Sequence, residues 1–401
     1  MEKMFEDSEH AFAYKSDGQL RKAYWLFKMM KFNWLISFGT NFILAAIKWR
    51  LPVIGILKNT LYSQFVGGET LEKATPVVNK LGNYDVDVIL DYGAEAKEGE
   101  ANFDLAKEEF IKAIRYSATQ TSIPFISLKI TALARFELLE KLNSSVTINP
   151  GAIAVDARKL TFEENKEWQN VLDRTYAICE AALNLNLGVL IDAEESWIQN
   201  TIDGVVMLAM NAYNQKQVTV YNTIQLYRSD KLDFLQLSHR TARQHSFLLG
   251  VKLVRGAYME KERAWAQEKN QKSPIQPDKS ATDADFNKAI DFCFNHLENT
   301  SVVVATHNEY SNLHALSILQ GRQMGQANKH VHFSQLYGMS DNITFNLAKE
   351  GYNVSKYLPY GSVADVIPYL LRRAQENSSV AGQTGRELFL LGKEMDRRGL
   401  A

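Results

Sequence analysis

VSKYLPYGSVADVIPYLLRRAQE, residues 354–376, joins a short apolar run to a segment with helical periodicity. We predict a strand over residues 354–357 and a helix from about Ser362. Four side chains at positions i, i+3, i+4 and i+7 then share one helical face: Tyr369, Arg372, Arg373 and Glu376. Two neighbouring guanidiniums repel each other. They are explained by an anion between them, such as a carboxylate or phosphate, or by a solvated basic face near the end of a helix.

The same unit of a strand followed by a helix recurs through most of the chain. From residue 86 onwards, short β-branched or apolar runs alternate with longer segments of helical periodicity. The candidate strands are residues 87–91, 125–130, 188–192, 219–226, 250–254, 302–306, 332–335 and 354–357. This alternation predicts an α/β fold, a (β/α)8 TIM barrel, with a doubly wound open sheet as the alternative. The sequence has no GxGxxG motif that opens a helix and no GxxxxGK[ST] motif, which disfavours the open sheet.

The first eighty residues form a different region, which we predict to be an N-terminal helical arm (1–80) attached to the barrel (81–401). Within the arm, residues 34–57 are mostly apolar, but Lys48, Arg50 and Pro52 interrupt them. The segment is therefore too broken to span a bilayer. It is either a pair of helices packed on the barrel or an amphipathic surface that contacts a membrane peripherally through its tryptophans and basic residues.

Composition restricts the class of protein. The 401 residues are 46% hydrophobic and 23% charged, with a formal net charge of −1, so we expect a globular protein without nucleic-acid partners. Cys179 and Cys293 are far apart and fit no metal-binding or CxxC spacing, as is typical of a reducing compartment. The acidic N-terminus resembles neither a signal peptide nor a transit peptide, so we expect a cytoplasmic protein.

Polar residues end or follow nearly every candidate strand. In strand order they are Asp91, Lys129, Asp192, Gln225, Arg255 with Tyr258, His307 with Asn308, Gln335 and Tyr357. Active sites of (β/α)8 barrels are built at the C-terminal ends of the strands. The barrel interpretation therefore predicts that these residues contribute to one active site.

Several motifs resemble the flavin-dependent proline dehydrogenases. They are LIDAEES (190–196), NTIQLY (222–227), KLVRGAYMEKER (252–263), ATHNEYS (305–311), QLYGMSD (335–341) and YLPYGSVADVIPYLLRRAQEN (357–377). The resemblance implies a distorted (βα)8 barrel that binds FAD, oxidises L-proline to Δ1-pyrroline-5-carboxylate and passes electrons to a membrane quinone. Only about two dozen residues follow Asn377, so we expect a monofunctional relative of the proline dehydrogenase domain of proline utilisation A.

The resemblance also assigns substrate contacts. Arg372 and Arg373 correspond to the pair that binds the proline carboxylate, Lys129 to a lysine facing the same carboxylate, and Asp192 to its catalytic partner. Three cations around one carboxylate need a compensating anion, which Asp192 beside Lys129 supplies. The residues corresponding to the wall around the substrate ring are Tyr258, Leu336, Tyr357 and Tyr369. Related hydroxyproline dehydrogenases carry a smaller residue at the position of Tyr357, so its tyrosine favours proline.

The flavin contacts implied by the resemblance lie in the same motifs: Ala193, Ile224, Gln225, Arg255, Gly256, Ala257, Thr306 and His307. Lys252 corresponds to a cation near the flavin N5 that is arginine in many bacterial members, so the charge is retained but the planar fork is lost. Glu95 resembles a glutamate that pairs with the second arginine when the site closes, which predicts a gate formed by Glu95 and Arg373. We predict no metal site, because His307, His330 and His332 lack a further ligand.

Two other functions remain open at this stage. A strand-end lysine such as Lys129 could form a Schiff base in a lyase, with the arginines binding a phosphate or carboxylate. The barrel could also have lost its activity and serve as a binding partner. The joint presence of Lys129, Asp192, both arginines and the flavin positions favours the dehydrogenase.

Overall fold

A computed structural model describes residues 4–31, 54–93, 98–379 and 383–400. Eight parallel strands close a barrel in the order β1-β10-β9-β8-β7-β6-β5-β2, and β3 and β4 form a separate antiparallel hairpin. The strands are β1 Asp87–Tyr92, β2 Phe125–Leu128, β3 Val146–Asn149, β4 Ala152–Val155, β5 Gly188–Ile191, β6 Val220–Gln225, β7 Leu249–Val254, β8 Thr300–Ala305, β9 Val331–Leu336 and β10 Val354–Tyr360. The predicted (β/α)8 barrel is thus confirmed, and the doubly wound sheet is excluded.

The helices alternate with the barrel strands. They are α1 Ser8–Phe12, α2 Asp17–Met30, α3 Ile54–Leu57, α4 Ser63–Phe65, α5 Leu71–Gly82, α6 Glu100–Ser117, α7 Phe136–Leu142, α8 Phe162–Asn184, α9 Ser196–Tyr213, α10 Lys231–Gln244, α11 Met259–Glu268, α12 Lys279–Phe294, α13 Glu309–Gly321, α14 Asp341–Lys349, α15 Ile367–Ser379 and α16 Gln383–Arg397. Single turns of 3-10 helix occupy Met4–Glu6 and Ile130–Ala132, and a π-helical turn occupies Lys58–Tyr62.

Two local features differ from the sequence analysis. The hairpin β3–β4 was not predicted, because its strands have four residues each and are half exposed rather than continuously apolar. The helix expected from about Ser362 begins at Ile367 instead. Ser362 and Asp365 form a turn in which the Ser362 hydroxyl accepts a hydrogen bond from the Asp365 N–H at 3.3 Å, so the chain turns before the helix starts.

The described residues form two compact units. The first unit contains residues 1–95, 307–309 and 334–401, and the second contains residues 96–306 and 310–333. These units do not coincide with the predicted arm and barrel, and that domain division remains a prediction. None of the helices in the described ranges is long and apolar enough to cross a bilayer. Residues 34–53 of the predicted amphipathic segment lie outside those ranges.

In the second unit, large rings fill the barrel between strands where glycines leave room. The Phe125 ring on β2 lies 5.5 Å from Tyr221 on β6 and 5.1 Å from His332 on β9, in both cases edge to face. A Cβ at Gly188 would come within 2.4 Å of the Phe125 ring, so only glycine fits on β5 at this level. This packing fixes β2, β6 and β9 relative to one another inside the barrel.

The first unit has an apolar core built by helices from both ends of the chain. Residues from α1, α2, α15 and α16 share it, including the buried Phe12, Phe27, Leu370 and Leu390. Next to this core, the fully buried Lys356 on β10 forms a 2.8 Å ion pair with Asp341 at the start of α14. The N-terminal and C-terminal helices therefore belong to one folded body around β10.

Candidate active site

Asp192 and Lys252 form an ion pair in the second unit. Asp192 follows β5 and Lys252 lies in β7, and the intervening β6 places Thr223 opposite Lys252 in register. The Lys252 ammonium donates to Asp192 Oδ1, and the Ser127 hydroxyl on β2 donates to the same oxygen at 2.9 Å. Lys252 is only 4% exposed, so this pair is shielded from solvent, which strengthens it electrostatically.

Lys129 follows β2 and acts electrostatically on Glu194, two residues after Asp192. Burial raises the pKa of Glu194 to about 7, although the charge of Lys129 and hydrogen bonds from Thr131 oppose this shift. Asp192 forms an ion pair with Lys252. The predicted pairing of Asp192 with Lys129 stays a prediction. The second unit therefore carries both cations and carboxylates in and after β2, β5 and β7, among them Lys129, Asp192, Glu194 and Lys252.

Arg255, directly after β7, is fixed on three sides. Its guanidinium donates to Asp283 Oδ1 at 2.8 Å, to the Thr306 hydroxyl at 2.5 Å and to the Ser311 hydroxyl at 2.7 Å. It also stacks at 3.9 Å on the Phe286 ring. Burial lowers the pKa of Arg255, while Asp283 opposes this shift, and an arginine remains charged under all ordinary conditions.

The other predicted flavin positions of the second unit surround these residues. Ala193, Ile224, Gln225 and Thr306 are buried, and Gly256 and Ala257 form the loop after Arg255. The Gln225 amide donates to the Glu194 carbonyl at 2.7 Å and to the Tyr227 hydroxyl at 3.0 Å. Tyr258 is half-buried at the start of α11, where its carbonyl accepts from Glu262 N–H at 2.9 Å.

His307 belongs to the first unit. Its Nδ1 lies 2.9 Å from the Ser340 hydroxyl, and the backbone N–H of Ser340 donates to Glu387 Oε1 on α16. Ser340 has a φ of 50°, a left-handed conformation that is costly for a serine. Glu387 therefore holds a strained turn, and this turn orients the ring of His307.

The first unit also contains Leu336, Tyr357, Tyr369, Arg372 and Arg373. Leu336 and Tyr357 are half-buried near the ends of β9 and β10, and the Tyr357 carbonyl accepts from Tyr337 N–H at 2.9 Å. On α15, Arg373 is 7% exposed and its guanidinium lies 5.0 Å from the centre of the Tyr369 ring. The predicted common helical face is thus confirmed for these two residues. Glu95 of the predicted gate lies outside the described residues.

Sequence reasoning missed the polar residues that hold the predicted ones in place. Ser127 and Thr131 flank Lys129, Ser340 contacts His307, and Asp283 with Ser311 holds Arg255. Serines and threonines in strands and turns usually satisfy the backbone, so their type gives no functional signal. The one available signal was the acidic pair Glu194–Glu195, which follows Asp192 after one alanine and was quoted in a motif but given no role.

These residues fit a flavin. A Cβ at Gly256 would lie 2.4 Å from the Met259 sulfur, so glycine lets the loop after Arg255 pack directly against the Met259 side chain. The polar side chains of the second unit include two cations, Lys252 and Arg255, and the neutral Gln225 and Thr306. This set of paired charges and neutral polar groups suits a cofactor with hydrogen-bonding ring edges. Across the described ranges, no cluster of His, Cys, Asp and Glu could hold a metal ion.

The barrel and its polar strand-end residues define an enzyme of the α/β-barrel class. The chain belongs to the proline dehydrogenase family, whose model matches residues 74–386. Members of this family are oxidoreductases, and membership implies a flavin cofactor. The confirmed barrel agrees with this membership.

Curated relatives cover nearly the whole chain. The chain is 33% identical to the hydroxyproline dehydrogenase of Xenopus laevis, over 96% of this chain and 88% of that protein. It is 29% identical to mitochondrial proline dehydrogenase 1 of Dictyostelium discoideum, over 98% of this chain and 74% of that protein. Relatives named for two different substrates therefore match at similar identity.

A solved structure shows the same fold. Proline utilization A from Bdellovibrio bacteriovorus, inactivated by N-propargylglycine, aligns with a TM-score of 0.69 at 19% identity, over 97% of this chain. This chain spans 39% of the length of that protein.

Proposed function

We propose that this protein is a proline dehydrogenase that uses FAD to oxidise L-proline to Δ1-pyrroline-5-carboxylate. The observation that carries the proposal is the shielded Asp192–Lys252 pair, which joins a residue assigned to the substrate, Asp192, to one assigned to the flavin N5, Lys252. Family membership supports the reaction class, and the relatives named proline dehydrogenases support the substrate.

Substrate recognition depends on charge. We assign the carboxylate of proline to Arg372, Arg373 and Lys129, since guanidiniums bind carboxylates through two parallel hydrogen bonds. Tyr258, Leu336, Tyr357 and Tyr369 are assigned to the apolar ring. The stacking of Arg373 on Tyr369 supports this division, because it fixes one cation beside one aromatic wall.

Tyr357 supports proline over its 4-hydroxy derivative. The side chain is half-buried, and the carbonyl of the same residue is held by Tyr337, so the phenol ring starts from a fixed backbone position. A tyrosine leaves less room than the smaller residue expected in hydroxyproline dehydrogenases. The chain is therefore similar in sequence to the Xenopus hydroxyproline dehydrogenase, but its Tyr357 favours proline as the substrate.

The family motifs assign cofactor binding to Ala193, Ile224, Gln225, Lys252, Arg255, Gly256, Ala257, Thr306 and His307. Bound FAD supplies the acceptor for the hydride that leaves C5 of proline. The charged Arg255 guanidinium is paired with Asp283 and can still donate its remaining N–H groups to the cofactor. Lys252 is held against Asp192, so its charge has a fixed position. The protein thus contributes binding, orientation and electrostatics.

Three further assignments complete the proposal. Glu95 acts as a gate by pairing with Arg373 when substrate binds. A membrane quinone accepts the electrons, and the protein acts in the cytoplasm with a peripheral membrane contact through residues 34–57. These assignments follow from the family resemblance and from the apolar, basic character of that segment.

Trapping of the product tests the proposal. The protein reconstituted with FAD is incubated with L-proline and an artificial electron acceptor, and the cyclic imine is trapped with an aromatic amino-aldehyde. We expect trapped imine from proline and about tenfold less from 4-hydroxyproline, with Tyr357→Ser raising the second rate, since one misfitted polar group costs about this factor. Equal turnover of both substrates by the wild type would contradict the role of Tyr357 in selecting proline. If neither substrate gave an imine, the proposed reaction would be wrong.

A further inference from the structure

Glu194 connects the two loops that carry Asp192 and Lys129. It lies two residues after Asp192 and is 5% exposed. Its Oε2 accepts from the Thr131 hydroxyl at 2.6 Å and its Oε1 from the Thr131 N–H at 3.2 Å. Thr131 is the middle residue of the 3-10 turn Ile130–Ala132, which starts directly after Lys129. The Glu194 carboxylate therefore accepts hydrogen bonds from both donor groups of Thr131, in the turn that follows Lys129.

Glu194 is itself held by a buried network. Its N–H donates to Gln199 Oε1 at 2.7 Å, and its carbonyl accepts from Gln225 at the end of β6 at 2.7 Å. The Gln199 amide donates to Asp203 at 2.9 Å, and Asp203 forms a 2.6 Å ion pair with Lys231. Both charged groups of that pair are 2% exposed. Because each of these groups would be costly to leave unpaired, the backbone at Glu194 has little freedom to shift.

A buried carboxylate needs a physical reason to be retained. Burial raises the pKa of Glu194 to about 7, and Lys129 is the first of the groups that oppose this shift. An apolar residue of similar size would avoid the cost of burying a charge. The carboxylate therefore costs stability, and what it provides in return is the fixed turn after Lys129.

We propose that Glu194 is a positioning residue that orients Lys129 toward the carboxylate of the substrate. The proposal rests on the proposed function, in which Lys129 binds that carboxylate. Glu194 contacts the turn after Lys129, through Thr131, rather than the substrate. Removing it therefore weakens carboxylate recognition and leaves the hydride step largely intact.

A KM-against-kcat comparison on the FAD-loaded enzyme tests this role. We expect Glu194→Ala to raise the KM for proline about tenfold and to change kcat less than about threefold, as the loss of two hydrogen bonds to one positioned turn implies. Glu194→Gln retains an oxygen acceptor for Thr131 N–H, so we expect its KM for proline to lie much closer to the wild-type value than that of Glu194→Ala. Thr131→Val, which deletes only the hydroxyl, should raise KM by an intermediate factor and serves if Glu194→Ala does not fold.

Glu195→Gln is the matched control. Glu195 is the adjacent buried carboxylate, but its ion pair is with the exposed Lys261. We expect its KM to stay within about twofold of the wild type, because such a pair with an exposed partner contributes little. A KM increase in Glu195→Gln as large as that in Glu194→Ala would overturn the proposal, since any charge change in this loop would then suffice.

A double-mutant cycle separates positioning from a structural role. If Glu194 acts through Lys129, then Glu194→Ala in a Lys129→Met background adds no further increase in KM. Additive effects would contradict the proposal. The same comparison is made by calorimetry with tetrahydrofuran-2-carboxylate, which has the ring and carboxylate but no amine. If Lys129→Met itself leaves this binding unchanged, the proposed function of Lys129 fails; if it weakens binding while Glu194→Ala does not, only the present inference fails.

Discussion

At the scale of single residues, the account depends on a buried charge pair. Lys252 is 4% exposed and its partner Asp192 also accepts from Ser127, so the ammonium has lost its water and gained a carboxylate. Breaking such a pair leaves an uncompensated charge inside the protein, which costs much more than the pair itself contributes. Asp192 is assigned to the substrate and Lys252 to the flavin N5, so stability and activity should respond together.

Asp192→Asn should lower both stability and turnover. The amide keeps the shape and can still accept from Ser127, but it no longer neutralises Lys252, so we expect the free energy of unfolding to fall by about 3 kcal/mol. Denaturant unfolding measures this change, and stopped-flow flavin reduction measures turnover. The control is Asp156→Asn, which breaks the exposed pair with Arg158 and should leave unfolding unchanged. Equal effects in the two variants would show that the Asp192–Lys252 pair has no special role.

Much of the site could be predicted at this scale, but its supporting contacts could not. Asp192, Arg255 and His307 were identifiable because they end or follow apolar runs, and Lys252 because it lies in a specific family motif. The bonds from Ser127 to Asp192 and from Thr131 to Glu194 join residues more than sixty positions apart, and no local pattern reports such a contact. The pairing of Asp192 with Lys252 depends on the register of β5, β6 and β7, which a sequence does not display.

At the scale of elements, the C-terminal helix α16 supports the turn that contains Ser340, and this serine contacts His307, a predicted flavin residue. Glu387 on α16 is 4% exposed and accepts from Ser340 N–H, and the Ser340 hydroxyl contacts His307. Burial raises the pKa of Glu387 to about 7, the nearby Asp341 adds to this, and Lys356 and Lys15 oppose it. This helix therefore does more than close an apolar core.

Glu387→Gln should flatten the dependence of stability on pH. The folded protein binds a proton at Glu387 more tightly than the unfolded chain does, so between the ordinary glutamate pKa and about 7 stability falls as pH rises. Glutamine removes this loss and keeps an acceptor for Ser340. We therefore expect the difference in Tm between about pH 5 and pH 8 to shrink in the variant.

Glu394→Gln on the same helix provides a control of opposite sign. Although burial opposes it, hydrogen bonds from Arg397 and Arg398 hold the pKa of Glu394 below its ordinary value. Its contribution is present above the unfolded pKa and lost in acid, so the glutamine variant should be destabilised at neutral pH. If Glu387→Gln and Glu394→Gln shifted the pH profile in the same direction, the buried state of Glu387 would be contradicted.

Whole elements followed the sequence where apolar runs were long. All eight barrel strands lie at the predicted places with shifts of a few residues, because a strand buried on both faces is continuously apolar. The hairpin β3–β4 was missed because its alternating exposure over four residues per strand resembles a loop. The start of α15 was displaced because the turn at Ser362 and Asp365 has helix-like spacing but ends before the helix begins.

At the scale of the whole molecule, the fold and the family membership agree, and the remaining question is the substrate. The barrel, the match over residues 74–386 and the relatives named for proline and for hydroxyproline define an oxidoreductase of one family. The sequence could predict this because motifs spread over six strand ends are specific when they occur in order. It could not distinguish proline from hydroxyproline except through Tyr357, since both ligands present the same carboxylate and ring amine.

The most direct test is an anaerobic absorbance titration of the FAD-loaded protein with L-proline, with 4-hydroxyproline as the comparison. The oxidised flavin band should disappear on addition of proline and persist at equal concentrations of hydroxyproline, because the substrate is then the only electron donor present. A flavin band that proline leaves unchanged would contradict the central claim. Bleaching by hydroxyproline alone would support the flavin-dependent reaction of the family but show that hydroxyproline, not proline, is the substrate.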